Sequence, residues 1–399
     1  MTDEYDRREF LAGPVRWAAA AGLLGGVTPS LFAQSPAAQG GAKIITRKLG
    51  RTGISLPIVS MGVMNADIPG LIRRAYEVGI RHFDTAAAYQ GGRNEEMVGA
   101  MIKEMGVRDQ VTISTKALSF WRGSPDAEAR SAFRQSVEAS LKRLQMDHVD
   151  IVYFHGVDSP ELARAGGVIQ ALTELKKEGK IRFTGISTHQ GEAVLNEAVR
   201  LGVYDVGLVT FNFTMASNTG LIDAIARAAQ AGMGIVAMKT QAGGTARPDR
   251  SLPRALPPLS QTALLKWVLR HQPIATAIPG YTTYGQVEQN FTVATDLEYT
   301  AAEKEFLGEK TFVAQAQFCQ HCGQCRNDCP SGVDIPSLMR SHMYAVQYAN
   351  PDPARLTLAS LETGKGLDGC RDCDACKASC RNHVNIGGKI AQLSALSLA

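Results

Sequence analysis

All eight cysteines of this 399-residue chain fall in two short runs. Cys319, Cys322, Cys325 and Cys329 form the first, and Cys370, Cys373, Cys376 and Cys380 the second. Both read C-x2-C-x2-C-x3-C. Three thiolates at such intervals wrap one corner of a cuboidal iron–sulfur cluster, and the fourth cysteine of such a run ligates the other cluster of a pair. The spacing predicts two 4Fe–4S clusters. One would sit on Cys319, Cys322, Cys325 and Cys380, the other on Cys370, Cys373, Cys376 and Cys329. A zinc site would use two separate C-x2-C knuckles and leave the remaining cysteines idle. Disulfides are open to an exported chain with an even count, but runs this dense offer few pairings at an allowed Cα spacing.

A second set of chemistry-bearing residues is scattered through the middle of the chain, and the elements that carry them bring them together. From residue 58 onward, short runs rich in Val and Ile alternate with longer segments of helical period. Strands are expected at 58–61, 81–84, 111–115, 149–154, 182–186, 206–211, 235–238 and 275–278. Helices are expected at 127–144, 160–178, 191–201, 218–231, 260–270 and 286–294. This alternation predicts a parallel sheet, and eight units in about 250 residues predict closure into a (β/α)8 TIM barrel. An open doubly wound sheet would call for a G-x-G-x-x-G turn after a strand, and none is present. Ahead of the barrel, 43–56 reads as a hairpin turning at Gly50-Arg51-Thr52-Gly53. Function in a barrel gathers where strands give way to loops. There Asp84 closes the second strand, Lys116 the third and His155 the fourth, with Tyr89 one short loop beyond Asp84.

At Phe83-Asp84-Thr85-Ala86-Ala87-Ala88-Tyr89, Ser114-Thr115-Lys116 and Val149-Asp150-Ile151-Val152-Tyr153-Phe154-His155 the chain resembles the aldo/keto reductase family. The run Cys329-Pro330-Ser331-Gly332-Val333-Asp334-Ile335 resembles the subgroup with a C-terminal ferredoxin-like extension. The resemblance implies hydride transfer between a nicotinamide cofactor and a carbonyl or alcohol. Hydride reaching a carbonyl carbon leaves an alkoxide that needs a proton. Tyr89 would donate it, with Lys116 lowering a tyrosine pKa that is ordinarily about 10. Asp84 would hold Lys116, and His155 would orient the carbonyl oxygen and help relay the proton. The resemblance further places Ser187, Met238, Lys239, Gly280, Tyr281, Thr282, Gln286 and Asn290 at the cofactor. Gly280 and Gln286 stand where the family often carries Lys and Arg for a 2′-phosphate, so NADP and NAD both remain open. Two loops are expected to shape the substrate pocket, 118–123 with Phe120 and Trp121, and 240–259.

Residues 1–42 read as a signal and linker: Arg7-Arg8 with Phe10-Leu11, an apolar stretch, then small residues. The order resembles a twin-arginine (Tat) export signal. Clusters are assembled in the cytoplasm, so a cluster protein bound for the periplasm must cross folded, with the Tat translocase as partner. Without use of the signal the protein would stay cytoplasmic. No stretch reaches the roughly 18 apolar residues of a stable membrane span without a glycine or proline interruption. A net charge of +4 without a basic run argues against nucleic acid. The expected domains are the signal and linker (1–42), the barrel (43–300) and a small α-helical ferredoxin-like iron–sulfur domain (301–399), entered through a helix at 300–317. Val333-Asp334-Ile335 and Val384-Asn385-Ile386 recur at the same offset from the fourth cysteine of each run. The leading expectation is an oxidoreductase acting on a small carbonyl or alcohol, its clusters serving electron transfer or structure. The alternative is an electron-transfer or interaction protein that uses the barrel as a scaffold and docks a redox partner protein.

Overall fold

The computed structural model describes residues 43–117, 125–242, 259–309, 318–370, 373 and 375–396. The expected export signal, the 118–123 loop, most of the 240–259 loop and residues 310–317 lie outside them. Residues Lys43–Ala399 form one compact unit.

Strands β1 (Thr46–Lys48) and β2 (Ser55–Pro57) pair antiparallel as the expected hairpin. Its Leu49 and Leu56 pack against Ile151, Tyr153, Val206, Leu208 and Val236, which plugs the barrel at one end. Gly50 has φ 52, and a Cβ there would stand 2.3 Å from the Gly234 nitrogen. Only glycine fits that turn.

The barrel strands are β3 (Met61–Gly62), β4 (His82–Asp84), β5 (Thr112–Ala117), β6 (Val149–Phe154), β7 (Ile181–Thr188), β8 (Val206–Thr210), β9 (Gly234–Met238) and β10 (Ile274–Ala277). Neighbours in sequence are neighbours in space, and each pair is parallel. Parallel bridges from Val59 to Ala277 and from Gly62 to Gly280 draw the first and last strands together. This is the expected eight-stranded barrel. Every residue of β6 and β8 is buried, because barrel interior lies on one side and helices on the other. That two-sided burial makes parallel strands read as apolar runs.

The surrounding helices are α1 (Pro69–Val78), α2 (Arg93–Met105), α3 (Asp126–Leu144), α4 (Pro160–Ala163), α5 (Gly166–Lys177), α6 (Gly191–Leu201), α7 (Thr219–Gln230), α8 (Leu259–Leu269), α9 (Tyr284–Phe291) and α10 (Ala301–Gly308). Five differ from expectation. α1 and α2 are additional, each with an apolar stripe: Leu71, Ile72 and Ala75, then Val98, Met101 and Ile102. The single helix expected over 160–178 is broken into α4 and α5. Gly167 lies so close to α3 that a Cβ would meet the Asp126 carbonyl oxygen at 2.0 Å, and its N–H donates to Asp126 Oδ1 at 2.9 Å. The helix expected over 300–317 stops at Gly308.

Beyond the first cysteine run come α11 (Ile335–His342), a π-helical turn (Met343–Gln347), α12 (Pro351–Ala359) and α13 (Ile386–Ala395). α11 packs against both α12 and α13 and buries Ile335, Leu338 and Met339. The two cysteine runs are tied directly. Asp328 Oδ2 accepts from the Ser379 backbone N–H at 3.1 Å and from its hydroxyl at 2.6 Å. These are the residues just ahead of the fourth cysteine in each run. Among the described residues no helix is long and apolar enough to cross a membrane.

Candidate active site and cysteine cavities

Asp84 ends β4 and Lys116 is the penultimate residue of the adjacent β5, so parallel pairing sets them side by side. Both are 1% exposed. Lys116 Nζ donates to Asp84 Oδ1 and, at 2.7 Å, to the Thr85 carbonyl. The Ser114 hydroxyl donates to the other Asp84 oxygen at 2.7 Å. A buried ion pair is tolerable only when its remaining valences are filled in this way. Tyr89 opens a short 3-10 turn (Tyr89–Gly92) after β4, and Lys116 Nζ lies 4.8 Å from its ring centroid. His155 is the first residue after β6 and meets Tyr89 edge to face, ring centroids 6.2 Å apart. All four sequence-predicted residues share one mouth.

Their electrostatics differ from expectation at one point. Burial, and then the nearby Asp84 carboxylate, hold the Tyr89 phenol well above its ordinary value. Burial and Asp84 thereby outweigh the lowering expected from the Lys116 ammonium. Burial first, then Lys116, Arg340 and Lys239, hold His155 well below the usual imidazole range. It is therefore neutral at pH 7. Burial, with Lys116 and Arg340 adding, brings Lys239 down to about 7.

The mouth cavity is walled by Asp84, Tyr89 and Lys116, by Met238 and Lys239 after β9, and by Gly280 after β10. Lys239 has φ 57, a left-handed backbone that a side-chain-bearing residue adopts at a cost and that clusters at functional sites. The other expected cofactor residues lie further back. Asn290 is fully buried, and its Oδ1 accepts from Gln241 Nε2 at 2.8 Å. Asn290 Nδ2 and Thr240 Oγ1 are buried without a partner among the described residues. Unfilled buried donors are rare in a finished structure and fit a ligand rich in acceptors, as a dinucleotide is. Thr282 donates through its backbone N–H and its hydroxyl to Gln286 Oε1, at 2.7 and 3.2 Å, at the start of α9. Ser187 Oγ accepts from the Gly156 N–H at 3.0 Å. The Tyr281 side chain belongs to the core instead: it is fully buried and its hydroxyl donates to the Ser60 carbonyl at 3.4 Å.

Sequence reasoning missed the tail's part in this mouth. Tyr348 lines the same cavity. Lys239 Nζ sits 4.6 Å from the Tyr344 ring centroid and 5.0 Å from that of Tyr348. Asn350 Nδ2 donates to Asn65 Oδ1 at 3.3 Å. The available signal was the i, i+4 spacing of the two tyrosines, which puts both on one helical face.

The cysteines gather in two fours that cross between the runs. Cys329, Cys370, Cys373 and Cys376 line one cavity. Burial, then the neighbouring Cys325, Cys380 and Cys322, push the Cys319 thiol up to about 12. Burial, then Cys329, Cys376 and Cys373, raise Cys370. Each group takes three thiols from one run and the fourth from the other. An all-thiolate set of four fits an iron–sulfur cluster. His321, within the first run, stacks on His189 of the barrel with ring centroids 4.9 Å apart.

Residues 64–306, more than half of the chain, match the model of the aldo/keto reductase family, and residues 318–386 match that of the 4Fe–4S dicluster domain. L-galactose dehydrogenase of Arabidopsis thaliana is 28% identical over 300 residues, spanning 67% of this chain and 93% of its own length. The holo aldo-keto reductase AKR11C1 from Bacillus halodurans is 23% identical with a TM-score of 0.57, covering 69% of this chain and 98% of that one. An aldo/keto reductase from Klebsiella pneumoniae in complex with NADP and acetate is 24% identical with a TM-score of 0.53, covering 65% and 93%. Both solved structures share the barrel fold.

Proposed function

Because the chain belongs to the aldo/keto reductase family and carries a 4Fe–4S dicluster domain, we propose that it is an NADP- or NAD-dependent oxidoreductase of small carbonyls and alcohols. Asp84, Tyr89, Lys116 and His155 are its catalytic residues. The observation that carries this reading is the convergence of those four side chains at one barrel mouth. A bound nicotinamide supplies or accepts the hydride at the carbonyl carbon. Tyr89 gives the oxygen its proton; a phenol held above its ordinary pKa stays loaded through neutral pH. His155, neutral, donates a ring N–H to the same oxygen and orients it. The Asp84–Lys116 pair sets Tyr89 in place.

Met238, Lys239 and Gly280 would line the nicotinamide end of the cofactor site. Ser187 retains a hydroxyl hydrogen to donate, and Thr240 and Asn290 offer their unfilled donors. Thr282 and Gln286 stand at the N-terminus of α9, where helix dipole and free N–H groups favour phosphate. The eight cysteines would hold two 4Fe–4S clusters with the crossed ligand sets described above. Exposure of Cys322, Cys373 and Cys376 favours exchange of electrons with a redox partner protein. Residues 1–42 would direct Tat export of the loaded protein to the periplasm, with the nucleotide bound beforehand.

The test is nucleotide oxidation against a panel of carbonyls, with and without a one-electron acceptor. Turnover with carbonyl alone supports the reductase; turnover only with the acceptor supports the electron-transfer alternative instead. For export, nucleotide released on denaturing periplasmic protein is expected, and its absence there would remove the idea of loading before transport.

A further inference from the structure

We propose that the tail completes the carbonyl pocket: Tyr348 is a specificity-determining wall over the active site, and Lys239 is the positioning residue that fixes the turn carrying it. This rests on the reductase reading above.

Four contacts ring the opening. Tyr348 lines the cavity that holds Asp84, Tyr89 and Lys116. Tyr344 and Tyr348 together grip the Lys239 ammonium, at 4.6 and 5.0 Å to their centroids. Asn350 reaches Asn65 Oδ1 at 3.3 Å and the Met64 carbonyl at 3.5 Å, on the loop after β3. α12 packs against the Tyr89–Gly92 turn itself. The tail is thus fastened at β3, at the proton donor and at β9, three points around one rim.

The local backbone serves the same end. The Met343–Gln347 turn is π-helical, an arrangement that carries an extra residue and is frequent at functional sites. Lys239 holds its left-handed backbone directly beneath it. A substrate carbonyl within reach of Tyr89 would lie in the cavity that the Tyr348 ring, Met64 and Ile278 line. That surface suits a carbonyl borne on a flat or ring-shaped body, which can stack on the tyrosine.

The experiment uses the full chain with clusters loaded and nucleotide saturating. Tyr348→Ala is expected to lower kcat/KM for an aromatic aldehyde about tenfold relative to a short aliphatic one, mainly through KM. Tyr348→Phe should keep the wild-type ratio. A Tyr348→Ala protein with full cluster absorbance and an unchanged ratio would overturn the proposal. A second measurement needs no turnover: acetylation of Lys239 by an N-hydroxysuccinimide ester, read by mass spectrometry. Wild type should be protected and a Tyr344→Ala/Tyr348→Ala double variant labelled; equal labelling removes the roof. A wild type inert toward every carbonyl sinks the reductase reading, and the labelling still decides whether the tail covers the mouth.

Discussion

Tyr89 and His155 are tuned in opposite directions, and both shifts keep their protonation constant around neutrality. Lys239, brought down to about 7, is the mouth residue poised to titrate there. The pH profile of kcat/KM is therefore expected to break once near 7, and Lys239→Met should flatten it. The sign for stability follows from the same shift. Without nucleotide the unfolded chain binds the lysine proton more tightly than the native one between about pH 7 and 10.5, so the native state gains stability as pH rises through that window. Lys239→Met should raise the melting temperature most below pH 7 and hardly at all near pH 10. Tyr89→Phe is expected to cut carbonyl reduction by about 10²–10⁴-fold, with nucleotide affinity, followed by fluorescence quenching, unchanged. Asp84→Asn leaves the buried Lys116 ammonium without its countercharge. It should cost about 3–5 kcal/mol in denaturant melts, whereas Lys116→Met with Asp84→Asn together should recover much of that.

The elements were legible where burial alone shapes them. Strands such as Val149–Phe154 are covered on both faces, so their apolar runs stand out, and the polar residues at their ends announced Asp84, Lys116 and His155. Features set by a distant neighbour were not legible. The break between α4 and α5 exists because Gly167 abuts Asp126 of another helix, and Gly166-Gly167 is its one local trace within 160–178. Tyr281 sits in a stretch that resembles a cofactor motif, yet the closing approach of β3 and β10 turns its hydroxyl to Ser60. The roof tyrosines were hidden for the same reason, since their partner Lys239 lies about a hundred residues earlier in the chain. Gly50 shows how tightly an element can be specified by its contacts. Gly50→Ala puts a methyl 2.3 Å from the Gly234 nitrogen in a left-handed turn, so the hairpin plug must shift. A loss of roughly 1–3 kcal/mol in thermal or denaturant melts is expected.

At the scale of the whole molecule, barrel and tail are one compact unit, and the crossed grouping of thiols ties the tail to itself. About eight iron atoms per chain are expected from two clusters, with a broad visible absorbance that dithionite bleaches. The crossing has its own test. Cys380→Ser should open Cys319, Cys322 and Cys325 to alkylation while Cys370, Cys373 and Cys376 stay protected; the reverse pattern would show that each run serves its own cluster. Crossing also sets an order in time. The ribosome finishes the barrel strands first, and the first cysteine run emerges with only three of the thiols its group uses. One group of four is complete only once Cys376 has been made, the other only at Cys380. The catalytic side chains are therefore synthesised early and the tail that would roof them late, and with two clusters in that tail, iron loading would precede the covering of the mouth.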